Sequence, residues 1–144
     1  MPIAEDCIFC DIVADRAPAS VVHDDASCLA FMDIRPVTSG HLLVVPKRHA
    51  ADLAGLDEPT GGHLFRVAMR LPAALRWTDL PCDGINLFLA DGVAAGQEVF
   101  HVHLHVFPRY PGDSFRITAD WSSHPPRTEL DAVAAKLRAA ERPP

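Results

Sequence analysis

Residues 101–107 read His-Val-His-Leu-His-Val-Phe, so three histidines recur at every second position. The residues between them are apolar and largely β-branched, which favours an extended chain. Successive side chains of a strand point to opposite faces. This predicts one row of His101, His103 and His105, and an opposite, core-facing row of Phe100, Val102, Leu104 and Val106. Imidazole loses its proton near neutral pH and can serve as base, acid, nucleophile or metal ligand. Two chemistries fit the row. Three histidines can hold one zinc and leave a position open for water. Alternatively, the middle imidazole attacks as a nucleophile while its neighbours hold phosphoryl oxygens and assist the leaving group. An ordinary polar strand face accommodates one or two histidines more readily than three.

Cys7-Ile-Phe-Cys10 is the second constellation. A redox role would need a thioredoxin-like βαβ context, which is absent. A structural zinc would need two further ligands to close a tetrahedron. Two small buried residues on a short helix remain the plain alternative. Cys28 lies in an apolar run and reads as a small core residue. His23, His63 and His124 have no partner nearby in sequence, which leaves them surface or capping roles.

The elements that must position these residues follow from pattern. Residues 7–14 read as a short helix burying Ile8, Phe9, Ile12 and Val13. Val21–His23 and Cys28–Asp33 flank a turn-like Asp24-Asp25-Ala26-Ser27 and predict a hairpin. Leu42–Val45 is a strand closed by Pro46. Leu64, Val67, Ala68, Leu71 and Leu75 follow a helical period. Glu58-Pro59 suits the start of that helix, and Pro72 should kink or shorten it. Ile85–Leu89 reads as a buried strand. Gly92–Gly96 forms a tight loop into the histidine strand, which Pro108 ends. Thr128 with Asp131 resembles a capping box for a last helix carrying Leu130, Val133, Ala134 and Leu137. The expected fold class is α+β, an antiparallel sheet with a few helices.

The 144 residues suit one domain, and the formal net charge is −6 with no Lys/Arg block. That argues against a partner bound through a nucleic-acid backbone. No apolar stretch is long enough for a bilayer, and the first residues lack a signal-peptide pattern. The expected location is the cytosol, where the four cysteines stay reduced.

Gly96-Gln97-Glu98-Val99-Phe100-His101-Val102-His103-Leu104-His105-Val106 resembles the histidine-triad (HIT) signature. Cys28–Pro36, Gly40–His49 and Ile85-Asn86-Leu87 resemble the same family, and the match is closest to its Hint-like bacterial members. The resemblance runs from about residue 7 to 110. It implies a single HIT domain over 1–144, with a C-terminal segment and helix over 111–144, and a homodimer. HIT proteins bind nucleotides and hydrolyse or transfer nucleoside monophosphates from phosphoramidates or dinucleoside polyphosphates. By similarity His103 is the nucleophile, His105 contacts the phosphate and leaving group, and His101 helps orient the centre. Asp33 matches the acceptor of the ribose hydroxyls of an AMP-like purine nucleotide. Phe9, Ile12, Phe31, Ile34 and Leu43 match the apolar wall around the base. Asn86 falls in a matching segment, and Gln97 and the Val99 backbone match phosphate-side contacts. His41 matches a further histidine near the pocket, with a structural role as the alternative. The Hint-like relatives also imply zinc held by Cys7, Cys10, His49 and His101, in which case His101 faces the metal. Ala90 and Glu98 depart from the family, which often has an asparagine and a small hydroxyl residue there. A chain that keeps the pocket but has lost turnover would be a nucleotide sensor or scaffold.

Overall fold

The structure, a computed structural model, describes residues 6–141. Its strands are β1 (Val21–Asp24), β2 (Cys28–Met32), β3 (Leu42–Pro46), β4 (Gly84–Phe88) and β5 (Leu104–Arg109). They form one antiparallel sheet in the order β1-β2-β3-β5-β4. Three α-helices, α1 (Ile8–Val13), α2 (Glu58–Arg76) and α3 (Arg127–Ala140), complete an α+β fold. The histidine strand β5 is inserted between β3 and β4. His105 therefore lies opposite Leu43 on one side and Phe88 on the other.

The sheet is covered on both faces. Cys28, Ala30, Leu42, Val44, Leu104 and Val106 pack with Leu64, Val67, Ala68 and Leu71 of α2. Leu29, Phe31, Leu43 and Val45 pack with Cys7, Phe9 and Cys10 around α1. This two-sided burial explains why β2 and β3 are nearly continuous apolar runs and show no alternation. Helix α2 starts where Asp57 caps it, its carboxylate accepting from the Thr60 N–H at 3.0 Å and hydroxyl at 2.8 Å.

Several local expectations give way to tertiary context. Helix α2 continues through Pro72 to Arg76. A proline inside a helix costs about 3 kcal/mol or more. Here the ring is buried with Leu71 and Leu75, and burying side chains of that size contributes about 1.5–3 kcal/mol each. In α1 the buried residues are Phe9 and Cys10, while Ile8 is exposed. Strand β4 is an edge strand with Leu87 and Phe88 exposed, so it is not the buried strand its apolar run suggests. Pro108 lies within β5 opposite Ile85. The β3 pairing stops at Val106, so the proline falls where β5 has one neighbour strand. Residues 101–103 precede the ladder, and Phe100 is exposed although Val102 is buried. Pro126, without a side-chain cap, precedes α3, and Thr128 sits within its first turn. Among the described residues no helix is long and apolar enough to cross a membrane.

Candidate active site and metal centre

The chain reaches the histidine row through a rigid turn. Gly92 and Gly96 bracket a 3-10 turn with φ of 92° and 87°, a region glycine enters without steric cost. The buried Gln97 then ties the turn down. Its Oε1 accepts the Gly92 N–H at 2.8 Å, and its Nε2 donates to the carbonyls of Ala51 at 2.8 Å and Val99 at 3.1 Å. The Val102 N–H donates to the Ala50 carbonyl at 2.8 Å, which steers residues 101–103 before β5 begins.

His103 is buried, and its Nδ1 lies 2.7 Å from the His101 carbonyl. A carbonyl only accepts, so Nδ1 carries the proton and the neutral ring keeps its lone pair on Nε2. The Phe9 ring meets His103 edge-on, with centroids 5.1 Å apart.

His105 belongs to a relay. The Val37 N–H donates to His41 Nδ1 at 3.2 Å, which leaves the proton of neutral His41 on Nε2. That Nε2 lies 2.9 Å from His105 Nδ1 and donates to it. Neutral His105 therefore carries its own proton on Nε2. Burial lowers the pKa of His41, against the opposing pull of Asp33. Burial, with added repulsion from His103 and His41, lowers that of His105 to about 4. Both rings are thus held neutral near pH 7. Asp33 Oδ2 lies 3.5 Å from His41 Nε2, and Asp33 Oδ1 accepts the Arg35 N–H at 2.8 Å.

His101 shares the Phe9 neighbour with His103, the Phe9 and His101 centroids lying 5.9 Å apart, but it has other partners. It is fully buried, and its Nε2 donates to the Pro46 carbonyl at 2.7 Å. Its Nδ1 lies 3.4 Å from Cys7 Sγ, 3.5 Å from Cys10 Sγ and 3.2 Å from His49 Nδ1, and Cys10 Sγ lies 3.4 Å from His49 Nδ1. A tetrahedral zinc with ordinary Zn–S and Zn–N bonds sets S···N near ~3.6 Å and N···N near ~3.3 Å. These four separations match that spacing within a few tenths of an ångström, and all four ligand atoms lie within 4.8 Å of one another. The Cys10 N–H also points at Cys7 Sγ, at 3.4 Å, and the Pro46 carbonyl fixes the His101 tautomer. Such outer contacts orient metal ligands. A cleft of about 440 Å³ opens beside this group, lined by Cys7, His49, Glu98 and Val99 among others. The three triad histidines form no common cluster of ligand atoms among the described residues, so a single three-histidine zinc has no support.

Phe9, Phe31 and Leu43 form one buried cluster beside His103, with Ile12 and Val99 packed against it. Ile34 does not join it and is 93% exposed. Asn86 Oδ1 on β4 accepts from Arg109 Nη1 at 2.6 Å. Ala90 is buried. Glu98 projects into solvent, its carboxylate 3.8 Å from Arg35 Nη2. His23 and His63 are not isolated: both meet the carboxylate of Asp25. Sequence reasoning missed that convergence, although His23 and Asp25, two apart across a turn, carried half of the signal.

The sequence model of the HIT domain matches residues 14–112. The chain belongs to the HIT family. The curated HIT relative from Bacillus subtilis, named Protein hit, is 40% identical over 125 residues, 86% of this chain and 84% of its own. The crystal structure of a HIT family protein from Bacillus anthracis superimposes with a TM-score of 0.87 at 37% identity, covering 96% of this chain and 99% of that one. A zinc-bound HIT protein from Mycobacterium smegmatis is 42% identical, with a TM-score of 0.75 over 94% of this chain and 98% of its own.

Proposed function

We propose that this HIT protein is a nucleotide phosphoramidase or nucleotidyl hydrolase with His103 as its nucleophile. The observation that carries the reading is the His103 Nδ1–H···O bond to His101, which puts the lone pair of the neutral ring on Nε2. In this reading the Nε2 lone pair attacks the α-phosphorus of a nucleoside phosphoramidate or dinucleoside polyphosphate. The bond from phosphorus to the leaving group breaks and its electron pair departs with the leaving group, which accepts a hydrogen bond from His105 Nε2–H and takes its proton from solvent. Water then attacks phosphorus, the bond to His103 breaks, the water's proton passes to solvent, and the nucleoside monophosphate leaves. The relay from Val37 through His41 favours this reading because it places the donor proton on His105 Nε2.

Asp33 would accept from the ribose hydroxyls of an AMP-like ligand. Phe9, Ile12, Phe31 and Leu43 would line the base, with Ile34 closing over it from its exposed position. Asn86 would bind substrate, and Gln97 and the Val99 backbone would act on the phosphate side, Gln97 by holding the turn that presents Val99. Cys7, Cys10, His49 and His101 would hold a structural zinc. Bound there, the metal supplies cross-linking and no open coordination position. His101 would then position His103 through its carbonyl. The setting is the cytosol, where thiol ligands stay reduced.

A homodimer is part of the proposal. Edge strand β4 exposes Leu87 and Phe88, and α2 exposes Phe65 and Met69, apolar side chains that a second copy would cover. Sedimentation at micromolar protein should give twice the chain mass, and a monomer would remove this part.

The central test is turnover of adenosine phosphoramidate by His103→Ala. Loss of turnover with AMP binding retained is the expected result, and undiminished turnover overturns the mechanism. Tight AMP binding by the native protein with no turnover of phosphoramidates or dinucleoside polyphosphates would replace it with a sensor or scaffold.

A further inference from the structure

A second group of metal-ligating side chains lies away from the triad, where the β1–β2 turn meets helix α2. Asp25 is its centre. His23 Nε2 from β1 and His63 Nε2 from α2 each lie 2.7 Å from Asp25 Oδ2. The other carboxylate oxygen is already committed: Oδ1 accepts the N–H groups of Ser27 at 2.9 Å and Cys28 at 2.8 Å. The carboxylate is therefore fixed, with Oδ2 turned toward the imidazoles. The buried Cys28 thiol completes the group, and the ligand atoms of Asp25, Cys28 and His63 all lie within 4.8 Å of one another.

We propose that Asp25, Cys28 and His63, with His23 as fourth ligand, form a second metal site for a borderline-soft divalent ion such as zinc. One thiolate, two imidazole nitrogens and one carboxylate oxygen are a tetrahedral zinc donor set. A carboxylate and a thiolate also balance a divalent charge. The side chains of His23, His63 and Asp25 are about a quarter exposed, so an ion can enter from solvent and meet the buried sulfur behind them. Lys47, whose charge reaches Cys28, is paired with Asp24 at 2.5 Å and does not oppose the ion alone.

In the metal-free state the two imidazoles donate Nε2–H to Oδ2. Binding requires both Nε2 atoms as lone-pair donors, so each neutral ring carries its proton on Nδ1. The Cys28 thiol releases one proton to solvent. Tetrahedral bonds put Nε2 and Oδ2 roughly 3.3 Å apart, so both partly exposed rings move on binding, and His23, which is not among the three residues whose ligand atoms lie within 4.8 Å of one another, swings in to complete the set. The ion would pin the hairpin turn to the first half of α2, sharing no ligand with the Cys7–His101 group.

The test is a cobalt(II) titration of metal-free full-length protein, followed by ligand-field and thiolate-to-cobalt absorption. The native chain should take up two equivalents. His63→Ala should take up one, and so should the Cys7→Ser/Cys10→Ser variant. In that double variant the remaining cobalt should show a thiolate band that Cys28→Ala abolishes. His63 is partly exposed on a helix, so its alanine variant keeps the fold, checked by circular dichroism. Equal cobalt uptake by the native chain and His63→Ala overturns the proposal, as does a Cys7→Ser/Cys10→Ser chain that binds none. If that double variant loses no cobalt while His63→Ala does, the structural zinc reading fails and this site stands.

Discussion

The carbonyl of His101 accepts the Nδ1 proton of His103 at 2.7 Å. The two residues divide their work by atom type. The ring of His101 turns toward Cys7, Cys10 and His49, while its backbone sets which nitrogen of His103 holds the lone pair. A displacement of His101 therefore disturbs the proposed nucleophile without touching its ring.

Removing a ligand of the cysteine–histidine group tests that connection. Cys7→Ser should lose the bound zinc and lower Tm by at least about 5 °C, since a few kcal/mol moves a domain of this size by several degrees. Metal analysis and thermal melting check both parts. Full zinc content in the variant would break the assignment.

His41 gives a second test, through the proton that it holds for His105. His41→Ala leaves His105 Nδ1 without its donor and frees the ring to turn. A misplaced catalytic donor typically costs about a hundredfold in rate, and the loss should appear in kcat with KM little changed. Steady-state kinetics across pH should also show the acidic limb moving, because His41 no longer fixes the His105 tautomer. A kcat equal to that of the native chain would remove the relay.

Stability should depend on pH through His105. Burial lowers its pKa to about 4, whereas an unfolded chain takes up that proton near the ordinary histidine value of about 6.5. Between those values the unfolded state binds more protons, so stability rises with pH. The contribution is present above about pH 6.5 and lost as pH falls toward 4. Urea unfolding of zinc-loaded protein at pH 7.5 and 5 should show the fall, and His105→Gln should make it shallower.

Glu98 should matter little. Its side chain is 83% exposed and reaches Arg35 across solvent at 3.8 Å, a pair of small worth. Glu98→Gln is expected to change kcat/KM by less than about threefold, within the range of a screened surface charge. A gain of a hundredfold would mean that the carboxylate repels the phosphate after all.

Much of the site was legible because it depends on local rules. The alternation of residues 101–107 predicted His101, His103 and His105 in one row; residues 101–103 precede the strand, yet the His103 and His105 rings meet with centroids 5.0 Å apart, and the apolar runs of β2 and β3 reflected a sheet covered twice. What escaped depends on partners distant in sequence. Pro72 and Pro108 read as breaks, yet α2 is held by its buried face and β5 has one neighbour at the proline. Ile85–Leu89 read as buried because an apolar run cannot say whether its strand lies at an edge. His23 and His63 looked solitary because Asp25 joins them only when the hairpin meets α2. The tautomers of His103 and His105 rest on backbone groups of His101 and Val37, which no side-chain pattern encodes.

Helix α3 has fourteen residues and none is buried, with Leu130, Val133 and Leu137 all exposed. A helix of that length is marginal by itself in water. Local terms support it, such as Glu129 in the first turn and Arg138 in the last, each facing the favourable end of the helix dipole. Opening it therefore breaks almost nothing else. Its amide protons exchange with solvent through fraying, whereas those of β3 and the buried face of α2 wait for the whole sheet to open. The cooperative unit of this protein ends before its last helix begins.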